Sequence, residues 1–144
     1  MSNNLTVVAY KPEHLEQIEV RSCYVAGECP KTIMTTAVTF LYGDKVLAIL
    51  GAFPFVPGVL HLWGLISDHV KECPKEFHEE VVKIMNWYVI NEKPRRLQMD
   101  VHASYEVGCR WAERLGFERE GLMKGWGPNG EGFYLYGKAI TWQQ

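Results

Sequence analysis

Three polar residues alternate along the segment RRLQMDVHA: Gln98, Asp100 and His102. Alternate side chains of an extended chain share a face, so these three point one way and Leu97, Met99 and Val101 the other. Burying polar groups without partners costs roughly 1–3 kcal/mol each. The face therefore either lines a wet cleft or is satisfied by backbone groups or by solvent at a strand end. In a cleft, Asp100 or His102 could act as a general base. His61 sits between leucines in VLHLWGL. It reads either as a hydrogen-bonded core histidine or as a general base, since imidazole titrates at about pH 6.5. His69 and His78 read as surface positions. The four cysteines, at 23, 29, 73 and 109, form no C-x-x-C pair and have no histidine at ligand spacing. They read as free thiols in a reducing compartment, neither metal ligands nor nucleophiles.

The chain of 144 residues, 47% apolar and 22% charged, has the size and composition of one globular domain, and no linker or repeat divides it. A net charge of −2 carries no footprint for nucleic acid. No apolar run reaches the ~18 residues of a membrane span. The start, MSNNLTVVAY, lacks the pattern of a signal peptide. The expectation is a cytoplasmic protein with neither nucleic-acid nor membrane partners.

The elements that must position these residues follow from periodicity. LTVVAY (5–10) predicts a strand, and KPEHLEQIEVRSCYVA (11–26) a helix with Leu15, Ile18 and Cys23 on one face. TTAVTFLY (35–42) and KVLAILGAF (45–53) flank Gly-Asp as a hairpin. AFPFVPGVL (52–60) reads as a loop that packs locally or forms an apolar lip. GVLHLWGLIS (58–67) predicts a strand buried on both faces. In 74–90, Phe77, Val81, Ile84 and Tyr88 recur at helical spacing after Pro74. A strand at 95–103 precedes a helix at 104–116 with Ser104 as N-cap and Gly116 as its stop. A hairpin around GPNG (127–130) closes the chain. Of the tryptophans, Trp63 and Trp87 read as core and Trp126 as exposed. The order β-α-β-β-β-α-β-α-β-β implies an α/β domain with a mixed sheet and helices on both faces.

This order resembles the GNAT superfamily of N-acetyltransferases. So does the local series RRLQMDV, SYEVGCRWAERLGFEREG and GPNGEGFYLYGKA, in which Leu-Gly-Phe and Glu-Gly join the last helix to the next strand. The chain is also similar to a phage-encoded branch of acetyltransferase-like proteins, some of them virion or assembly components. The resemblance implies a GNAT-like fold over residues 1–144 and acetyl-CoA as cofactor, with its pantetheine arm between the fourth and fifth strands. Backbone amides near Ile66 would polarise the thioester carbonyl. The loop before the second long helix, KECPKE, would hold the pyrophosphate on helix-terminal N–H groups. The implied binding residues are Ile66, Asp68, Lys71, Pro74, Lys75 and Glu76, with Asp68 also readable as a turn residue.

The loop departs from the family pattern. Pro74 stands for a glycine and withholds an N–H. Glu76 stands for a second small residue and brings a like charge to a phosphate, which Lys71 and Lys75 offset. Ala112, preceded by Trp111, occupies the place of the family's proton-donating tyrosine, so Tyr105 is the substitute acid. His61, Asp100 and His102 are the candidate bases. Two functions follow: acetyl transfer to a small-molecule or protein amine, or a catalytically silent scaffold for partner binding or virion assembly. The closing hairpin offers an edge for a homodimer.

Overall fold

The computed structural model describes residues 4–19 and 37–141. Among them, seven strands form one mixed sheet in the order β1-β2-β3-β4-β5-β7-β6. Strands β1 (Leu5–Ala9), β2 (Val38–Tyr42), β3 (Lys45–Val56) and β4 (Val59–Ile66) each pair antiparallel with the next. Helix α2 (Pro74–Glu92) crosses over to β5 (Arg96–His102), which therefore lies parallel to β4. Strand β7 (Phe133–Ala139) lies between β5 and β6 (Glu118–Met123), antiparallel to both. Helix α1 (Pro12–Gln17) follows β1, and α3 (Glu106–Arg114) joins β5 to β6. The expected order of elements and the central β4–β5 pair are both present. No described helix is long and apolar enough to cross a membrane.

Helix α2 buries Phe77, Val81, Met85 and Tyr88, one stripe at spacings of three and four. They join a single core with Phe40, Leu62, Leu97 and Val101. Phe77 meets Phe40 edge-on at 5.1 Å, and burying its ring contributes roughly 1.5–3 kcal/mol. Trp87, expected in the core, is instead 49% exposed. Tyr88 holds the inward position, and the preceding residue lies about 100° round the helix. The Trp87 indole therefore rests outside, edge-on to Tyr88 at 5.4 Å.

The junction WAERLGFEREG folds as its residues predict. The N–H of Gly116 donates to Glu113 O at 3.0 Å and that of Phe117 to Ala112 O at 3.1 Å. This paired closure needs a left-handed residue, and Gly116 has φ 95°. Buried Phe117 then turns the chain into β6.

Three boundaries differ from expectation. The N-cap of α3 is Tyr105, because the Ser104 hydroxyl bonds His102 Nδ1 at 2.8 Å instead. Helix α1 ends at Gln17, and Ile18 is already extended; residues 20–26 of the predicted helix, including Cys23, lie outside the described residues, as do Cys29 and Trp142. Most of the expected loop at 52–60 is strand, since β3 runs to Val56. A register shift beside Pro54 accommodates the missing N–H, and β2 has already ended opposite Leu50.

Tyr136 of β7 is wholly buried and ties α3 to β6. Its hydroxyl donates to Glu113 Oε2 at 2.9 Å and accepts from Arg119 Nε at 3.1 Å. Burial pushes its phenol up to about 12, against the opposing hydrogen bond from Arg119. A raised folded value means that its contribution is complete below the unfolded value of about 10 and lost as pH rises through the folded one. Stability should fall with one extra proton, about 1.4 kcal/mol per pH unit, across that window. Melting temperatures against pH should show this steepening, and Tyr136→Phe should abolish it.

Candidate active site in the strand gap

Strands β4 and β5 pair over three positions only: Val59↔Arg96, Leu60↔Leu97 and His61↔Gln98. Beyond them β5 follows β7 and β4 follows β3, each strand fully paired on its far side, and the two part. Ser67 N donates to Leu47 O at 2.8 Å, on the β3 side, whereas Gly58 O accepts from Arg95 N at 2.8 Å, on the β5 side. By strand alternation the amides of Gly64 and Ile66 therefore aim into the gap. A cavity of about 180 Å³ fills it, bounded by Leu50, Gly51, Trp63, Met99 and Asp100 among others. Trp63, expected in the core, is half-buried at its wall. A Cβ on Gly51 would come within 2.5 Å of Trp63 Cζ2. The absent side chain thus lets the indole lie flat on β3 and leaves the gap open.

One mouth of the gap carries the polar face of β5. Arg96 Nε donates to Gln98 Oε1 at 3.0 Å, so the Gln98 amide must present its NH₂ to His61 Nδ1 at 3.2 Å. Nδ1 then accepts, and the neutral ring carries its proton on Nε2, facing Asp100 Oδ1 at 3.7 Å. Glu120 anchors Arg96 through two hydrogen bonds of 2.6 and 2.9 Å. Trp126 Nε1 donates to Asp100 Oδ2 at 2.7 Å. Burial pushes the Asp100 carboxyl up, but the facing His61 ring and the hydrogen bond from Trp126 outweigh it and hold it below the usual range. Asp100 is therefore a fixed anion at neutral pH. His102 turns one ring nitrogen the other way: its Nδ1 accepts from Ser104 N at 3.2 Å, in the turn leading into α3.

A second cavity, about 370 Å³, opens at the start of α2. Lys71, Pro74, Tyr105, Arg110 and Arg114 border it, and it shares Ile66, Gly108 and Trp111 with the gap cavity. Trp111 stands at this junction, stacked on Phe77 at 5.6 Å, with Nε1 donating to His78 Nδ1 at 3.0 Å. The Tyr105 ring covers Gly108 at the same seam. Residues Asp68–Glu72 wind into a 3₁₀ turn capped by buried Ser67, whose Oγ accepts from His69 N at 3.1 Å. The amides of Val70 and Cys73 are spent inside the turn, and exposed Asp68 lies in its first part. Lys75 and Glu76 follow Pro74 in the first turn of α2, where amides lack intrahelical partners. Burial, followed by the charges of Glu76 and Glu72, pushes the Cys73 thiol up, so it is no nucleophile.

The structure thus brings His61 and Asp100 together and sets Ile66, Lys71, Pro74 and Tyr105 round the second cavity. Sequence reasoning missed Arg110 and Arg114, although their spacing of four places both on one face of a helix. It also missed the reach of Trp126 to Asp100, for which no local signal exists.

No protein-family model matches the sequence, and no curated protein matches it. Solved structures do match. Ard1 from Thermoplasma volcanium superposes with a TM-score of 0.76 at 6% identity, over 96% of this chain and 99% of that one. A GNAT-family acetyltransferase from Bacillus anthracis gives 0.69 at 11% identity, over 96% of each chain. RimL, a ribosomal L7/L12 alpha-N-protein acetyltransferase in complex with coenzyme A, gives 0.68 at 16% identity, again over 96% of each. The chain has the GNAT fold.

Proposed function

We propose that a GNAT fold with this gap serves acetyl transfer from acetyl-CoA to an amine. The observation that carries the reading is the alignment of three features: a fixed carboxylate at one mouth, a parted strand pair, and a cation-edged cavity that shares Ile66, Gly108 and Trp111 with the gap. The residues present suit the cofactor. Lys71, Arg110 and Arg114 would hold the phosphates, with the first-turn amides of Lys75 and Glu76 assisting. These side-chain cations take the place of the backbone donors lost to Pro74 and to the 3₁₀ turn, and they outnumber Glu76. Acetyl-CoA would supply an acetyl group already activated as a thioester.

The amides of Gly64 and Ile66, aimed into the gap, would polarise its carbonyl as fixed dipoles that need no reorganisation. Asp100 draws the ammonium, takes one proton from it so that the nitrogen has a lone pair to attack with, and passes that proton to solvent. His61, with its tautomer set by Gln98, and Trp126 hold that carboxylate in place. Tyr105, at the seam of the two cavities, would give a proton to the sulfur that leaves and recover one from the acylated nitrogen.

One observation favours a second reading, a catalytically silent scaffold for partner binding or virion assembly: the Val70 and Cys73 amides are consumed within the turn. Calorimetric titration with acetyl-CoA separates the two. The transferase reading expects saturable heat at micromolar concentration, with coenzyme A competing. No heat at high micromolar concentration would retire it and leave the scaffold.

A further inference from the structure

Asp100 Oδ1 faces His61 Nε2, and a carboxylate beside an imidazole ordinarily favours its charged form. An ion pair of that kind would tie up the carboxylate. The hydrogen bonds behind His61 act against it. Arg96, two residues before Gln98, shares its face of β5. Glu120 sits where β6 shifts register against β7, and such bulges re-aim side chains. Both end nitrogens of the Arg96 guanidinium donate to Glu120, at 2.9 and 2.6 Å. Gly137 of β7 pairs with Gln98, and a Cβ on it would strike Glu120 Oε2 and both of those nitrogens. The missing side chain is what lets the pair cross β7. So anchored, Arg96 gives its Nε–H to Gln98 Oε1.

Arginine has no acceptor and keeps its charge. Gln98 therefore has one orientation that suits both neighbours, with its NH₂ against His61 Nδ1. A proton on Nδ1 would meet that NH₂, donor against donor. Turning the amide over would relieve this contact and set the NH₂ against the Arg96 Nε–H instead. One unfavourable contact remains either way, and solvent relieves little of it, because only 12% of the His61 side chain is exposed. Phe53 and Phe55, the β3 rings beside His61, bring it no charge. Among the described residues, the charged groups set against it are Asp100 directly and the Arg96–Glu120 pair behind Gln98.

We propose that Arg96, locked by Glu120 over Gly137, is a positioning residue that keeps His61 neutral and so leaves the charge of Asp100 free for an ammonium. Its part in catalysis rests on the acetyl-transfer reading; the state of the ring does not.

The test follows the His61 ring nitrogens by long-range proton–nitrogen correlation in the full chain, without acetyl-CoA. At neutral pH the wild-type ring should carry one proton, on Nε2. A ring protonated on Nδ1, or on both nitrogens, overturns the proposal whatever the variants do. Arg96→Met with Glu120→Met removes equal and opposite charges and frees the amide to turn. The His61 midpoint should then rise by about one pH unit or more, a tenfold change in proton affinity. In a Gln98→Met background the same two substitutions should barely move it, because the amide that couples them is gone. No rise, or an equal rise with and without Gln98, overturns the proposal. Acetyl transfer by the double variant should fall below the new midpoint, where charged His61 pairs with Asp100, and recover above it. A pH profile that matches the wild type although the midpoint has moved overturns the positioning role. The expected ring behaviour in a protein that gives no heat with acetyl-CoA would retire the transferase reading alone.

Discussion

Asp100→Asn is expected to lower kcat/KM for acetyl transfer about 100-fold or more, the range typical of losing a positioned general base. The Kd for acetyl-CoA should stay within about twofold, since the substitution lies at the opposite mouth from the phosphate cations. The asparagine keeps the shape and one acceptor for Trp126. It loses the charge that draws the ammonium and the lone pairs that receive its proton. It would also present an amide NH₂ or a weaker acceptor to the Nε2–H of His61. Steady-state kinetics with a free-thiol readout, alongside calorimetry, make the comparison. The pH dependence supplies a second signature. The Asp100 carboxyl is depressed in the folded protein. Its contribution to stability is therefore present above the unfolded value of about 3.9 and lost as pH falls through the lower folded value. The variant should lack that part of the acid unfolding limb. Unchanged kcat/KM in a folded variant would remove Asp100 from the reaction.

Replacing Arg110 and Arg114 together with alanine should raise the Kd for acetyl-CoA roughly 30-fold, with charge-assisted bonds to phosphate discounted for their exposure. Both border the cavity at the start of α2, as does Lys71. The effect should shrink at high salt, because exposed charges are screened. Binding of S-acetylpantetheine, which lacks the pyrophosphate, should not change between wild type and variant. Wild-type affinity in the double variant would mean that the phosphates are held elsewhere. A matching loss for S-acetylpantetheine would mean that α3 itself had been disturbed.

Local patterns made much of the fold legible. The apolar stripe of α2, the Gly116 stop and the polar alternation along β5 all depend on neighbours within a turn or a pleat. Their physics is complete inside a short window. Candidate residues were legible to the same extent. His61 and Asp100 could be named, but their pairing across β4 and β5 depends on a register that neither segment carries alone. His102 shows the limit: its alternation with Asp100 is real, yet the turn after it takes its ring nitrogen for Ser104. Trp87 shows another, since helical spacing allowed an inward place that Tyr88 already filled.

The sequence by itself determined the order of elements, the α/β class, the apolar core stripe of α2, and the proline and glutamate in its first turn. Each is written in spacing and residue type. Only the tertiary structure decided that β4 and β5 part after His61, because each strand keeps its pairing with the neighbour on its far side. Only it placed Arg110 and Arg114 where backbone donors were lost, Trp111 at the seam of the two cavities, and Trp126 on Asp100 from a loop 26 residues away in the chain. Those contacts join segments distant in sequence, and the energy that selects them exists only once the sheet has assembled.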